Sequence, residues 1–347
     1  MASVSAPVFS VLVAAYNQAE WVEETLDTLA AQGYPHYELV VVDDGSTDGT
    51  GERVAGWIER FGRTHPNRAV LATTENRGQS AAMEHGFGLC TGDYVCLLDS
   101  DDRWIPHKLE RLAEAARANP DAGMIVHPLF VIDQEGRRTG DVRPKRARLS
   151  AGDLRDEIRR TSRIVAPAST GMVLRADVFA RLVPMPTKGF RTAADMYLAL
   201  GAALLAPVLA IDEPLAEYRM HADGQHVRTM LSPDGLGRWV DLQDTLVRHF
   251  GLEEAARRKN SYFVRHEFAL SKLRGGVPEQ WSSFGRLMGA TWRDESFGIR
   301  DRVLFSGYWA ACLMSPRPVF RRLWRSFQMK QTGFDRIGLG ATRAAGI

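Results

Sequence analysis

Residues 96–104, CLLDSDDRW, set three carboxylates, Asp99, Asp101 and Asp102, directly behind the apolar run Tyr94-Val95-Cys96-Leu97-Leu98. Side chains alternate along a strand, so Asp99 and Asp101 leave the same face if extended geometry persists that far. Like charges at that spacing repel strongly unless water, donors or a cation offset them. Hard oxygen ligands suit Mg2+ or Mn2+, and Mg2+ in particular keeps waters and completes its shell with substrate phosphates. Taken alone, the D-x-D reads equally well as a cation site and as a solvated acidic loop or helix cap. A second acid pair, Asp43-Asp44, ends another apolar run, YELVVV, and tilts the reading toward chemistry.

These acids need elements to hold them. VFSVLVAAY reads as a first strand, and a helix follows it with Asn17 and Glu20 at capping-box spacing, Trp21, Val22, Thr25, Leu26 and Leu29 on one face, and Gly33 closing it. YELVVV is a second strand and AVLAT a third. Val54, Trp57, Ile58 and Phe61 mark a helix between them, residues 79–89 another, and Pro106 suits the first turn of one running to about Asn119. The β-α-β-α alternation predicts an α/β fold, a mostly parallel sheet covered on both faces. Ligands of such sheets bind outside the carboxyl ends of the strands, so both acid clusters are expected in one crevice. Residues 149–226 read as mixed, with a strand at ASTGMVL and a helix over 193–206; beyond Arg228 the pattern is almost wholly helical.

At 347 residues, 45% hydrophobic and 25% charged, the chain is an ordinary globular one with room for a large core. Its net charge of +2 argues for no particular partner, and nothing singles out nucleic acid. The distribution is uneven: residues 314–347 hold seven Lys/Arg and one acid, +6, which leaves 37 minus 41, or −4, for the rest. Three cysteines at no metal spacing favour a reducing cytoplasm over a disulfide framework. The apolar start lacks a basic n-region and reads as a strand, not a signal peptide, and no run reaches the ~18 apolar residues of a spanning helix.

SVLVAAYNQAEWVEETLDTLAAQGYPHYELVVVDDGSTDGT, NRGQSAAMEHG and GDYVCLLDSDDRW together resemble the nucleotide-sugar-binding half of the family 2 inverting glycosyltransferases, over about the first 110 residues and more faintly to His226. The resemblance implies a GT-A fold, a Rossmann-like, mostly parallel sheet flanked by helices, with a helical C-terminal extension. It implies a catalytic domain over 1–228, and the helical region over 229–347, read from the residues alone, is expected to associate with acceptor or membrane. Donor contacts are then expected from Ala14 and Tyr16 near the base, from Asp43 and Asp44 at base or ribose, from the turn residues Asn76 and Gly78, and from Asp99 and Ser100 of the D-x-D. Asp99 and Asp101, with His221 of EYRMH, would hold Mn2+ or Mg2+, and Arg219 would support the site. The resemblance makes Asp195, in RTAADMYLALGA, the general base; Ala194 stands where the family has Glu. The family's Ala-Arg-Asn is Ala82-Met83-Glu84 here, which leaves the phosphate partners open, with Arg77 as a substitute cation.

The implied reaction moves a sugar from a nucleotide sugar, by default UDP-linked, to a hydroxyl of a glycan or lipid-linked acceptor, as in polysaccharide biosynthesis. A sugar-nucleotide or glycan-binding protein that has lost catalysis is the alternative, with Ala194 its one hint. A phosphotransferase with an Asp-x-Asp nucleophile ranks third, because that chemistry wants the motif on the first strand. Trp104 reads either as a platform for an acceptor sugar or as packing. In the tail, Phe320, Leu323, Trp324 and Phe327 fall at i, i+3, i+4 and i+7, opposite Arg321, Arg322 and Arg325. That pattern suits a helix in an anionic membrane interface, a peripheral contact at the inner face of the cell membrane, and equally a helix packed on the protein.

Overall fold

The computed structural model describes residues 6–145, 148–186, 191, 193–221, 232–253, 260–294 and 297–332. Contacts divide the chain into two units, one of residues 1–155 and 164–220, the other of residues 156–163 and 221–347.

The first unit is built on a seven-stranded sheet in the order β10-β6-β9-β4-β1-β2-β3. Its strands are β1 (Phe9–Ala15), β2 (Tyr37–Asp43), β3 (Ala69–Thr73), β4 (Tyr94–Asp99), β6 (Met124–Val126), β9 (Met172–Arg175) and β10 (Val208–Ala210). β1 pairs in parallel with β2 and β4, and β2 with β3, while β9 runs antiparallel to β4 and β6. In β1, β2 and β4 every apolar side chain but that of Ala14 is buried, because helices cover both faces of a parallel sheet. These helices are α1 (Val22–Ala30), α2 (Thr50–Phe61), α3 (Gln79–Phe87), α4 (Lys108–Ala118), α6 (Ala176–Ala180) and α7 (Ala194–Leu205). A smaller sheet, in the order β5-β11-β7-β8, combines β5 (Arg103–Trp104), β7 (Leu129–Ile132), β8 (Arg138–Arg143) and β11 (Ala216–Arg219).

Two local expectations give way. The Asn17–Glu20 capping box does not form: Asn17 adopts φ +52°, its Oδ1 accepts the Thr47 N–H at 2.9 Å, and α1 starts only at Val22. ASTGMVL opens as a 3-10 turn, Ser169–Gly171, before β9 begins.

The second unit is helical. Most of α5 (Arg155–Thr161) belongs to it, along with α8 (Pro233–His249), α9 (Ser261–Arg274), α10 (Val277–Arg293), α11 (Ile299–Met314) and α12 (Arg317–Thr332). Ser232 and Asn260 cap α8 and α9 by accepting the N–H groups of Gly235 and Tyr262. Phe320 and Trp324 of α12 are buried in a core with Phe268, Leu287 and Trp309, and Leu323 and Phe327 pack against it. The apolar stripe of α12 therefore faces its own unit, where it is covered by α9 and α11, and is not available to a membrane. Truncating Trp324 should thus behave as a core deletion. Trp324→Ala is expected to cost about 3–5 kcal/mol in urea unfolding, whereas an indole facing lipid would leave stability unchanged.

Candidate active site

The carboxyl ends of β1, β2 and β4 gather the predicted donor residues. Asp44 follows β2 and is buried, its Oδ1 accepting the Arg77 N–H at 2.9 Å and its Oδ2 the Gly78 N–H at 2.7 Å. It thereby pins the Asn76–Gly78 turn, and its Oδ1 also accepts the Thr74 hydroxyl at 3.5 Å. Asp43, also buried, accepts the Ser46 N–H at 3.0 Å and shapes the loop into α2. Gly45, at φ +73°, permits this approach, since a Cβ there would stand 2.8 Å from the Asn76 backbone nitrogen. Ala14 is half-buried and Tyr16 exposed at the end of β1, and the Ser100 hydroxyl donates to the Ala14 carbonyl at 3.4 Å. Arg191, on the segment before α7, donates to the Asn76 carbonyl at 3.1 Å and to its side-chain oxygen.

The acidic cluster divides by role. Asp102 is fully buried: its Oδ2 accepts the Thr170 hydroxyl, and its Oδ1 the Arg219 N–H at 2.8 Å. The same Thr170 hydroxyl accepts the Asp99 N–H at 3.0 Å. Arg219, on β11, donates from Nε to the Asp101 carbonyl at 2.7 Å and from Nη2 to Glu24 at 2.6 Å. Beneath lies Lys108, fully buried, with Nζ donating to the Thr170 carbonyl at 2.8 Å and lying 4.1 Å from the Trp104 ring centroid. Trp104 is itself core, so it offers no platform to an acceptor sugar.

Asp99 and Asp101 remain half-buried. Burial, then the charges of Asp101 and Asp195, push the Asp99 carboxyl up to about 8. Burial also raises Asp195, in the first turn of α7, where its Oδ1 accepts the Met196 N–H at 2.8 Å. Ala194 is fully buried, so the family's Glu position is here part of the core. Ala82 and Met83 are buried too, and Glu84 accepts the Met185 N–H at 2.9 Å, which leaves no phosphate partner there; Arg77 is exposed. His221 is buried and opens the second unit. Crowded half-buried carboxylates fit a hard divalent cation, which relieves their mutual repulsion. Among the described residues no group of three His, Cys, Asp or Glu forms a ready metal cage. An ion held by Asp99 and Asp101 would take phosphate oxygens and waters as its other ligands.

The profile described as Glycosyl transferase family 2 matches residues 10–182. The chain belongs to this family. It is 30% identical over 219 residues to an uncharacterised glycosyltransferase of Nostoc sp., covering 63% of this chain and 66% of that protein. It is 36% identical over 108 residues to the putative teichuronic acid biosynthesis glycosyltransferase TuaG of Bacillus subtilis, covering 31% and 41%. The matches thus span less than two thirds of these relatives. Among solved structures, S. aureus TarS in complex with UDP-GlcNAc superposes with a TM-score of 0.57 at 19% identity over 94% of this chain and 92% of that one. The Pyrobaculum calidifontis mannosyltransferase PcManGT, in complex with GDP-Man and Mn2+, gives 0.53 at 20% over 95% and 88%. The family 2 domain has the GT-A fold.

Sequence reading missed Thr170, Lys108 and the separate role of Asp102. Thr170→Val keeps the shape but strips a fully buried carboxylate of its hydroxyl donor. About 1–3 kcal/mol of stability should be lost in urea melts, and unchanged stability would show that Asp102 does not need it. Lys108 gives a second test. Burial lowers it from 10.5 to about 7, so between those pH values the unfolded chain holds a proton that the folded chain has released. Its contribution to stability therefore rises with pH across that window. Lys108→Met should flatten the slope of unfolding free energy against pH between 7 and 10, relative to wild type.

Proposed function

We propose that the chain is a metal-dependent inverting glycosyltransferase, taking a sugar from a nucleotide-sugar donor, UDP-linked by default, to a hydroxyl of a glycan or lipid-linked acceptor. The observation that carries this reading is the setting of Asp99 and Asp101 at the end of β4, with Asp44 at the end of β2 holding the Asn76–Gly78 turn. TarS, in complex with UDP-GlcNAc, and PcManGT, in complex with GDP-Man, support a nucleotide sugar as the donor class. TuaG and the amylovoran biosynthesis glycosyltransferase AmsB support a place in polysaccharide assembly.

In this reading Asp44 and the Asn76–Gly78 turn receive the nucleoside, with Tyr16 at its open edge. Asp101 and Asp99 would hold Mn2+ or Mg2+, and such an ion neutralises charge on a departing nucleoside diphosphate. Asp195 accepts the proton of the acceptor hydroxyl as its oxygen bonds to the anomeric carbon. The bond from that carbon to the diphosphate oxygen breaks on the opposite face, which inverts the anomeric configuration. Burial suits Asp195 to the role, because a raised carboxyl is a stronger base than an ordinary one.

A panel of nucleotide sugars with Mn2+, read by nucleoside diphosphate release, tests the class of activity. Asp101→Asn should reduce turnover by orders of magnitude, as should EDTA; full activity in either removes the metal assignment. Asp195→Asn should lower kcat about a hundredfold or more while donor affinity stays near wild type. Equal loss of nucleotide binding would place the base elsewhere. Release by none of the panel, with nucleotide sugars still bound, would favour a binding protein.

A further inference from the structure

The helical unit carries a surface that the transferase reading does not use. Ten large apolar side chains stand exposed among the described residues, and eight of them belong to this unit. They centre on α11. Ile299 is 75% exposed, Val303 57%, Leu304 61% and Met314 74%. At 100° per residue these four fall within one arc of about 140°, together with the exposed Arg300, Gly307 and Ala311, and Arg300 is the one charged side chain of that arc. Trp309, Cys312 and Leu313 occupy the opposite, buried side. From Val303 to Met314 the helix holds no Asp, Glu, Lys or Arg. A helix on a water-facing surface puts polar residues outward; α11 does the reverse.

The patch continues beyond α11. Trp292 of α10, 46% exposed, donates its indole N–H to Ser306 at 3.0 Å and so lies along the same helix. Val319, exposed near the start of α12, follows Met314 by five residues. The charge around it is one-signed: residues 299–325 contain Arg300, Arg302, Arg317, Arg321, Arg322 and Arg325 against the single acid Asp301. An isologous contact with a second copy would bring those arginines against their own counterparts. A polyanionic, apolar partner meets both features at once.

We infer that α11 is an interfacial membrane helix, lying flat on an anionic phospholipid bilayer with Ile299, Val303, Leu304 and Met314 below the headgroups. The arginines meet lipid phosphates, and Trp292 sits at the depth where indoles concentrate. Its 16 residues span about 24 Å, short of the ~30 Å hydrocarbon core, so it lies on the bilayer and does not cross it. This surface differs from the α12 stripe, which is buried, and the inference rests on the helical unit alone, without the transferase reading.

Vesicle flotation of the full chain tests it, using phosphatidylcholine alone and an equimolar mixture with phosphatidylglycerol. Wild type should float with the anionic vesicles and at least tenfold less with the neutral ones. Val303→Glu/Leu304→Glu should lose at least tenfold in partitioning, and Leu304→Ser, a milder change at an exposed site, should lose severalfold. Arg321→Glu/Arg322→Glu should lose at least tenfold, since each basic residue near such a surface contributes about fivefold, and molar salt should weaken wild-type binding. Circular dichroism checks that each variant is folded. Failure of folded wild type to bind anionic vesicles overturns the proposal, as does wild-type binding by Val303→Glu/Leu304→Glu. Sedimentation provides the rival outcome: a concentration-dependent dimer that this variant dissolves would assign the face to a second copy.

Discussion

The first unit turns on one desolvated carboxylate. Burying Asp102 costs several kcal/mol unless every oxygen finds a donor, and the donors come from two distant stretches of chain. Thr170 supplies a hydroxyl from the turn before β9, and Arg219 supplies its N–H from β11 of the smaller sheet. The large sheet and the small one are thus tied at the end of β4. Because Thr170 also accepts the Asp99 N–H and Arg219 donates to the Asp101 carbonyl, the backbone on either side of Ser100 has little freedom. The directions of Asp99 and Asp101 follow from where Asp102 is held.

That arrangement separates structural from chemical acid. Asp102 is raised by burial and by its two neighbours, but hydrogen bonds from Thr170 and Arg219 oppose the shift. Asp99 has weaker compensation from Ser169 and is pushed up by both Asp101 and Asp195. Arg219, the nearest buried cation on β11, spends its guanidinium on the Asp101 and Gln134 carbonyls and on Glu24, not on the carboxylates of the D-x-D. The protein has a cation at hand and turns it to scaffold duty. The repulsion that raises Asp99 is therefore not offset by this guanidinium.

Much of this unit was legible in sequence for a simple reason. Parallel strands buried on both faces read as continuous apolar runs, and loops at their carboxyl ends must hold whatever polar residues follow. β1 to β4, α3 and α7 came out within a few residues on that basis, and so did the siting of Asp44, Asp99 and Asp101. What periodicity does not encode is the destination of a side chain across the fold. Three consecutive-looking acids gave no sign that Asp102 alone turns inward, because its partners lie 68 and 117 positions away. Asn17 failed as a cap for the same reason: a neighbouring loop offered its side chain a backbone N–H, and local spacing cannot register that competitor.

The helical unit carries the limit further. A stripe at i, i+3, i+4 and i+7 with basic residues opposite describes α12 completely, yet it is equally the pattern of a bundle helix and of a membrane-surface helix. Only the neighbours decide. α9 and α11 supply Phe268 and Trp309 to cover Phe320 and Trp324, so the strongly amphipathic helix is the buried one. α11 shows almost no polar face in sequence and would pass for a central helix of the core. Its outer side has no covering helix among the described residues, and Val303, Leu304 and Met314 stand in the open. A helix apolar all round satisfies one side by packing and leaves the other needing an apolar medium. Under the inferred membrane contact, the arginines that border it call for a medium carrying negative charge at its surface, a property of an anionic bilayer and not of a second copy of the same basic face.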